Sequence, residues 1–103
     1  SNLDSVTIPD SVKSIGISAF QGCSNLKNVI IGSSCNMIDN LAFPYLSLVE
    51  KITINATIPP LIKSGTFTNI NSGVKFYVPA ASLAAYKAAP IWKTFARKIY
   101  AIA

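Results

Sequence analysis

The sequence predicts an α/β solenoid made mostly of short β-strands in parallel ladders, and three observations lead there. The opening SNLDSVTI (1–8) returns as SNLKNVII (24–31). Laying residues 1–23 over 24–46 gives nine identities in 23 positions, most of them apolar. Within each copy the apolar residues alternate over three or four positions and then give way to turn formers. Self-similarity at a period of roughly 20 to 50 residues marks a stacked architecture, in which no single unit can bury its own apolar side.

The first coil, about 1–23, opens on Val6-Thr7-Ile8, an in–out–in stretch that reads as a strand with one buried face. Pro9-Asp10 makes the turn, and a second extended piece follows around Ile15. Gly16 closes it, as a residue tolerant of unusual backbone angles. Ala19-Phe20 ends the unit, the small residue permitting close approach and the aromatic filling the interior. In the second coil, about 24–46, the strand is Val29-Ile30-Ile31 and the turn Gly32-Ser33. Ile38 and Asp39 then take the places of Ile15 and Gly16, and Ala42-Phe43 closes the coil. A divergent third segment, about 47–78, places Val49, Ile52 and Ile54 at the Leu3, Val6 and Ile8 positions. After one inserted residue, Phe67 takes the Phe20 role, and Phe76 and Val78 repeat Val6 and Ile8.

From 79 to 103 the pattern changes as a terminal cap requires, because the last coil of a solenoid otherwise exposes core to water. Ser82 is placed to cap a short helix, Leu83 and Tyr86 form an i, i+3 apolar pair, and Pro90 stops the helix. Ile91, Trp92 and Phe95 supply bulk to close the core, and Arg97 to Ile102 reads as a last strand. The chain opens inside the repeated phrase, so a single solenoid domain cut from a longer array is expected, its first coil presenting an open strand edge and an apolar end.

The composition excludes much chemistry. Half of the 103 residues are hydrophobic and 13% are charged, with no histidine and four acids, Asp4, Asp10, Asp39 and Glu50. Nucleophile pairs that need an imidazole base have none, no zinc-ligand spacing occurs, and no glycine-rich phosphate loop is present. No enzyme activity, metal or cofactor is expected. The formal charge is +5, but Lys13, Lys27, Lys51, Lys63 and Lys75 are spread along the chain and only Lys87, Lys93, Arg97 and Lys98 cluster. That spread reads as a solvated surface, not a nucleic-acid footprint. The most apolar stretch, 82–92, is interrupted by Lys87 and Pro90, so no membrane insertion by this segment is expected. Cys23 and Cys35 align with Leu46 and Val12, which reads as two buried thiols acting as small apolar residues. Asn55-Ala56-Thr57 matches a glycosylation sequon, but Asn55 is better read as serving the turn after the third strand.

The phrase L-x-x-V-x-I-P-x-S-V-x-x-I-G-x-x-A-F-x-G-C, from Leu3 to Cys23, resembles the BspA-like leucine-rich repeat family of bacterial surface proteins. The second copy departs from it at Gly32, Cys35, Asp39, Pro44, Tyr45 and Leu46 while keeping the apolar skeleton. The tail, TIPP (57–60) with YVPAASLAAYKAAPIWKTF (77–95) and IYAI (99–102), is similar to the terminal segment common in that family. The resemblance implies an α/β leucine-rich-repeat solenoid that is secreted or cell-surface, with signal peptide and anchor outside this segment. It also implies adhesion to a host extracellular matrix or cell-surface protein, and it carries over no catalytic residues.

The residues left for binding are those between the buried ones. If Val6 and Ile8 point inward, Ser5 and Thr7 point outward, followed by Asn28 and Ile30, Lys51 and Thr53, then Lys75 and Tyr77. Toward the C-terminus this face becomes basic and aromatic, so Ile30, Lys51, Thr53, Lys75 and Tyr77 are the candidate contact residues. Two alternatives stay open. One is a structural spacer or capping end with binding elsewhere. The other is a carbohydrate module using Tyr77, Tyr86, Trp92 or Tyr100 as stacking platforms. A monomer is expected, or an edge-paired dimer of the truncated fragment.

Overall fold

Alternation of β-branched and aromatic residues with polar ones makes strands whose inner faces must meet other apolar surface. The computed structural model describes residues 4–17, 19, 25–43, 46–67 and 70–102; expectations for Leu3, Phe20 and Cys23 lie outside them. The first two repeats each contribute one long and one short strand, and the divergent third segment two long strands and one short. The long strands are β1 (Ser5–Ile8), β3 (Asn28–Ile31), β5 (Lys51–Ile54) and β7 (Lys75–Val78). The short ones are β2 (Ser14–Ile15), β4 (Met37–Ile38) and β6 (Leu61–Ile62). A last strand, β8 (Ile99–Ala101), completes a five-stranded parallel sheet in the order β1-β3-β5-β7-β8, while β2-β4-β6 form a second parallel sheet.

The register follows the repeat residue by residue: Val6 lies beside Val29, Val29 beside Ile52, Ile52 beside Phe76 and Phe76 beside Ile99. On the opposite wall Ile15, Ile38 and Ile62 form the matching inward row. Ring stacking carries the same periodicity, with Phe43 and Phe67 at 5.8 Å and nearly parallel on successive coils. At the first coil Ala19 is exposed and Val6 and Val12 are half-buried, while Ile8 and Ile15 are buried.

Three backbone details differ from the sequence reading. Neither Gly16 nor Asp39 adopts a left-handed conformation; among the described non-glycine residues Leu41 (φ 55°) and Ile91 (φ 68°) do. Gly32 serves close approach instead, since a Cβ there meets the Pro9 carbonyl oxygen at 2.6 Å and the Asp10 backbone at 2.7 Å. Ser82 stands at the N-cap of the helix α1 (Leu83–Ala88), but its hydroxyl makes no capping bond and donates instead to the Thr57 carbonyl at 2.6 Å.

The cap closes the core by docking on the stretch 55–60 after β5, one residue longer than its counterpart after β3. Tyr86 Oη donates to the Ala56 carbonyl at 2.6 Å and Trp92 Nε1 to the Pro60 carbonyl at 2.8 Å. The irregular stretch after β5 therefore offers three carbonyls that no ladder consumes, and three cap side chains satisfy them. Helix α1 ends at Ala88 because Pro90 forces the preceding Ala89 into an extended conformation (ψ 148°). A 3₁₀ helix, Trp92–Lys98, follows and takes in Arg97 and Lys98, which the sequence reading had placed in the last strand. Their side chains are long and polar, and the in–out alternation begins only at Ile99. Trp92 and Tyr86 are buried against one another at 5.3 Å, with Trp92 also edge-on to Phe76.

Candidate binding face

Because inward positions are fixed by the core, the outward residues of the large sheet form two rows running across the coils. One row reads Ser5, Asn28, Lys51 and Lys75, and the other Thr7, Ile30, Thr53, Tyr77 and Tyr100. Lys51 and Lys75 are exposed, while Ile30, Thr53 and Tyr77 are half-buried. Ile30 is thus less available than the sequence reading had it, shielded by Thr7 and Thr53 on either side.

The two rows interlock diagonally. Lys51 Nζ lies 5.0 Å from the centroid of the Tyr77 ring, one strand on, and Lys75 Nζ lies 5.8 Å from that of Tyr100, one strand further. Such contacts contribute about 0.5–1 kcal/mol at exposed sites and restrict the lysine rotamers. Neither ammonium pairs with a carboxylate among the described residues. The rings of Tyr77 and Tyr100 sit 5.8 Å apart at 32°, a tilted pair. A cleft of about 260 Å³ opens among Lys51, Thr53, Tyr77 and Ile102. The structure therefore brings Lys51, Thr53 and Tyr77 together and sets Lys75 beside them against Tyr100, whereas Ile30 lies outside the cleft.

Tyr100 and Ile102 extend this face and are absent from the candidate residues drawn from the repeat. The signal for Tyr100 was the alternation Ile99-in, Tyr100-out, obscured by running the strand from Arg97. Of the four aromatics considered for sugar stacking, Tyr86 and Trp92 are buried and their polar atoms are bonded, which removes both. No group of three or more metal-ligating side chains occurs among the described residues. Cys35 is a free, buried thiol, and burial pushes its pKa above the ordinary value, opposite to what a nucleophile needs. No helix among the described residues is long and apolar enough to cross a membrane.

Two parallel ladders joined coil by coil, with inward apolar rows and a cap, define a leucine-rich-repeat solenoid. The family model described as BspA type Leucine rich repeat region (6 copies) matches residues 1–87. The chain belongs to the BspA-type leucine-rich repeat family. Repeats of this type typically form protein-interaction surfaces and are non-enzymatic, and proteins that carry them are typically secreted or surface-exposed. No curated protein matches the sequence.

Proposed function

We propose that this chain is a non-enzymatic adhesion module of a secreted or cell-surface protein. Its partner is a host extracellular matrix or cell-surface protein, engaged through the C-terminal half of the large sheet's outer face. The supporting observation is the diagonal pairing of Lys51 with Tyr77 and of Lys75 with Tyr100, which holds two rings and two cations, neither paired with a carboxylate among the described residues, in fixed positions on an exposed surface. Pre-ordered side chains lose less entropy on association, so such a patch contributes more per contact than free lysines do. The same proposal takes the chain as one solenoid domain, with coils at about 1–23, 24–46 and 47–78 and a cap at about 79–103.

The test is binding of the chain to a panel of immobilised matrix and plasma proteins at about 50 and 150 mM salt, where screening of surface charge differs. Binding is expected to persist at the higher salt and to fall at least tenfold, about 1.4 kcal/mol, in the double variant Lys51→Glu/Tyr77→Ala with its fold retained. Binding that is unchanged in that variant, or that is lost with salt alone, refutes the assignment of the face.

A further inference from the structure

We infer that the cap adds to this face a cationic pocket for an acidic segment of the protein partner, with a carboxylate between Lys75 and Arg97 and an apolar side chain two residues away in the Tyr77–Ile102 cleft. The inference rests on the proposed face and names the chemistry that the face selects.

The pocket, about 500 Å³, lies between the turn that leads into β7 and the end of the 3₁₀ helix, and is lined by Ser72, Gly73, Lys75, Arg97, Lys98 and Tyr100. Its floor is fixed. Asn71 Nδ2 donates to the Val49 carbonyl at 2.8 Å, and Asn71 Oδ1 accepts from the Gly73 N–H at 3.2 Å. Lys98 Nζ donates to the Ser72 carbonyl, tying the cap to that turn. Lys75 is steadied by the Tyr100 ring, and the exposed Arg97 guanidinium has no partner among the described residues. A guanidinium so placed offers the two-pronged donor set that a carboxylate accepts.

The acidic side chains of the chain lie elsewhere. Asp10 accepts from the Ser33 N–H and Asp39 from the Asn40 N–H, both in turns of other coils. Asp4 precedes β1 at the far edge of the sheet. Glu50 immediately precedes β5 and does not line the pocket. Three cations thus face one opening with no acidic side chain in its wall among the described residues.

The shape of the charge favours a peptide over a sulfated polysaccharide. Along the solenoid the cationic row runs Lys51 and Lys75 on neighbouring strands and gives way to Asn28 and Ser5, with Lys98 at the end of the 3₁₀ helix just before β8, so it is short, about 10 Å at the usual strand spacing. A polyanionic chain gains from a longer track, whereas one or two carboxylates fill this one. Immediately along the strand direction, Lys75 to Tyr77, the surface turns to the apolar cleft with Ile102. That step is two residues, about 7 Å, the spacing between same-side residues of an extended peptide. The preferred sequence is therefore acidic, any residue, apolar.

Fluorescence anisotropy tests this with a labelled synthetic peptide carrying Glu-Thr-Phe in tandem, against the same peptide with Gln for Glu, and against a labelled heparin oligosaccharide. The Glu peptide is expected to bind the chain at about 150 mM salt. The Gln peptide and the Arg97→Glu variant are each expected to weaken binding at least tenfold, and Arg97→Lys to lie between. Equal binding of both peptides, absence of Glu-peptide binding, an unaffected Arg97→Glu variant, or preference for heparin each overturns the inference. The two proposals fail separately. Matrix binding lost in Lys51→Glu/Tyr77→Ala but untouched by Arg97→Glu keeps the face and removes the pocket. Glu-peptide binding sensitive to Arg97 alongside matrix binding insensitive to Lys51 and Tyr77 removes the face as proposed.

Discussion

Gly32→Ala is expected to destabilise the solenoid by far more than its single methyl group suggests. Gly32 sits in the turn after β3, stacked on the Pro9-Asp10 turn of the preceding coil. A Cβ on Gly32 lies 2.6 Å from the Pro9 carbonyl oxygen and 2.7 Å from the Asp10 N and Cα. Unbonded heavy atoms settle near 3.5–4.0 Å, so the two turns must part by about 1 Å. Both partners are backbone, and no rotamer change relieves the clash. Separation also strains the 2.9 Å bond from the Ser33 N–H to Asp10 Oδ1 that joins the same turns. Gly32 is not in the left-handed region, so alanine there carries no conformational penalty and the cost is steric. We take about 3 kcal/mol, the upper end of the range for overpacking. For a domain of this size that lowers the melting temperature by roughly 15 °C. Gly16→Ala is the internal control: a Cβ there has no neighbour within 4 Å, so it is expected to be neutral or to gain about 0.4–1 kcal/mol through the unfolded chain. Thermal and urea unfolding followed by circular dichroism measures both. A Gly32→Ala variant that melts within about 3 °C of the parent refutes the close-approach account.

Two further outcomes follow from buried polar groups. Thr66 is wholly buried; its one hydroxyl proton is shared between the Ile38 and Asp39 carbonyls, both at 3.1 Å, and its oxygen accepts from the Lys63 N–H at 2.8 Å. Thr66→Val is expected to cost about 2 kcal/mol by stranding these groups, and Thr66→Ser to restore most of it, as read from urea midpoints. Burial, and to a smaller degree the nearby Cys35, pushes the Tyr86 phenol well above its ordinary pKa of 10.0. The unfolded chain then loses this proton first, so the stabilisation is complete below about pH 10 and is lost as pH rises from there toward the folded value. Tyr86→Phe is expected to flatten that alkaline loss between about pH 9 and 11, and to cost about 2 kcal/mol at neutral pH by leaving the Ala56 carbonyl unsatisfied. An equally steep loss in the variant assigns it to another group.

The ladder was legible because strand side chains alternate strictly, so a repeat with Val6, Val29, Ile52 and Phe76 in phase sets both register and facing. The outward rows follow from the same rule. Backbone exceptions were not legible, because they are imposed by neighbours. Ile91 lies at φ 68°, ψ −46°, with the Trp92 N–H donating to the Pro90 carbonyl at 2.7 Å. That is a γ-turn of the rarer, strained hand, which local propensity disfavours in a β-branched residue. It persists because Pro90 has ended the helix and Trp92 must turn inward to reach the Pro60 carbonyl and the ring of Phe76. The role of the stretch after β5 was hidden for a similar reason. Residues 55–60 carry no periodic signal, and their three free carbonyls have meaning only once Ser82, Tyr86 and Trp92 arrive from the other end of the chain.

The same strand that closes the core completes the face. In β8, Ile99 continues the buried row from Phe76, while Tyr100 stands beside Tyr77 and under Lys75. The preceding residues Arg97 and Lys98 exist as a cationic edge only because the 3₁₀ helix delivers the chain to β7 at that level. Outward position and inward packing are therefore alternate residues of one short strand, and a change that displaces Ile99 also displaces Tyr100. The cap cannot be loosened without moving the outer surface at its C-terminal end, where the cations and rings are concentrated. Coils further from the cap, with Ser5 and Asn28 in the equivalent row, carry no such charge, so the chemistry of the face belongs to the junction between repeat and cap.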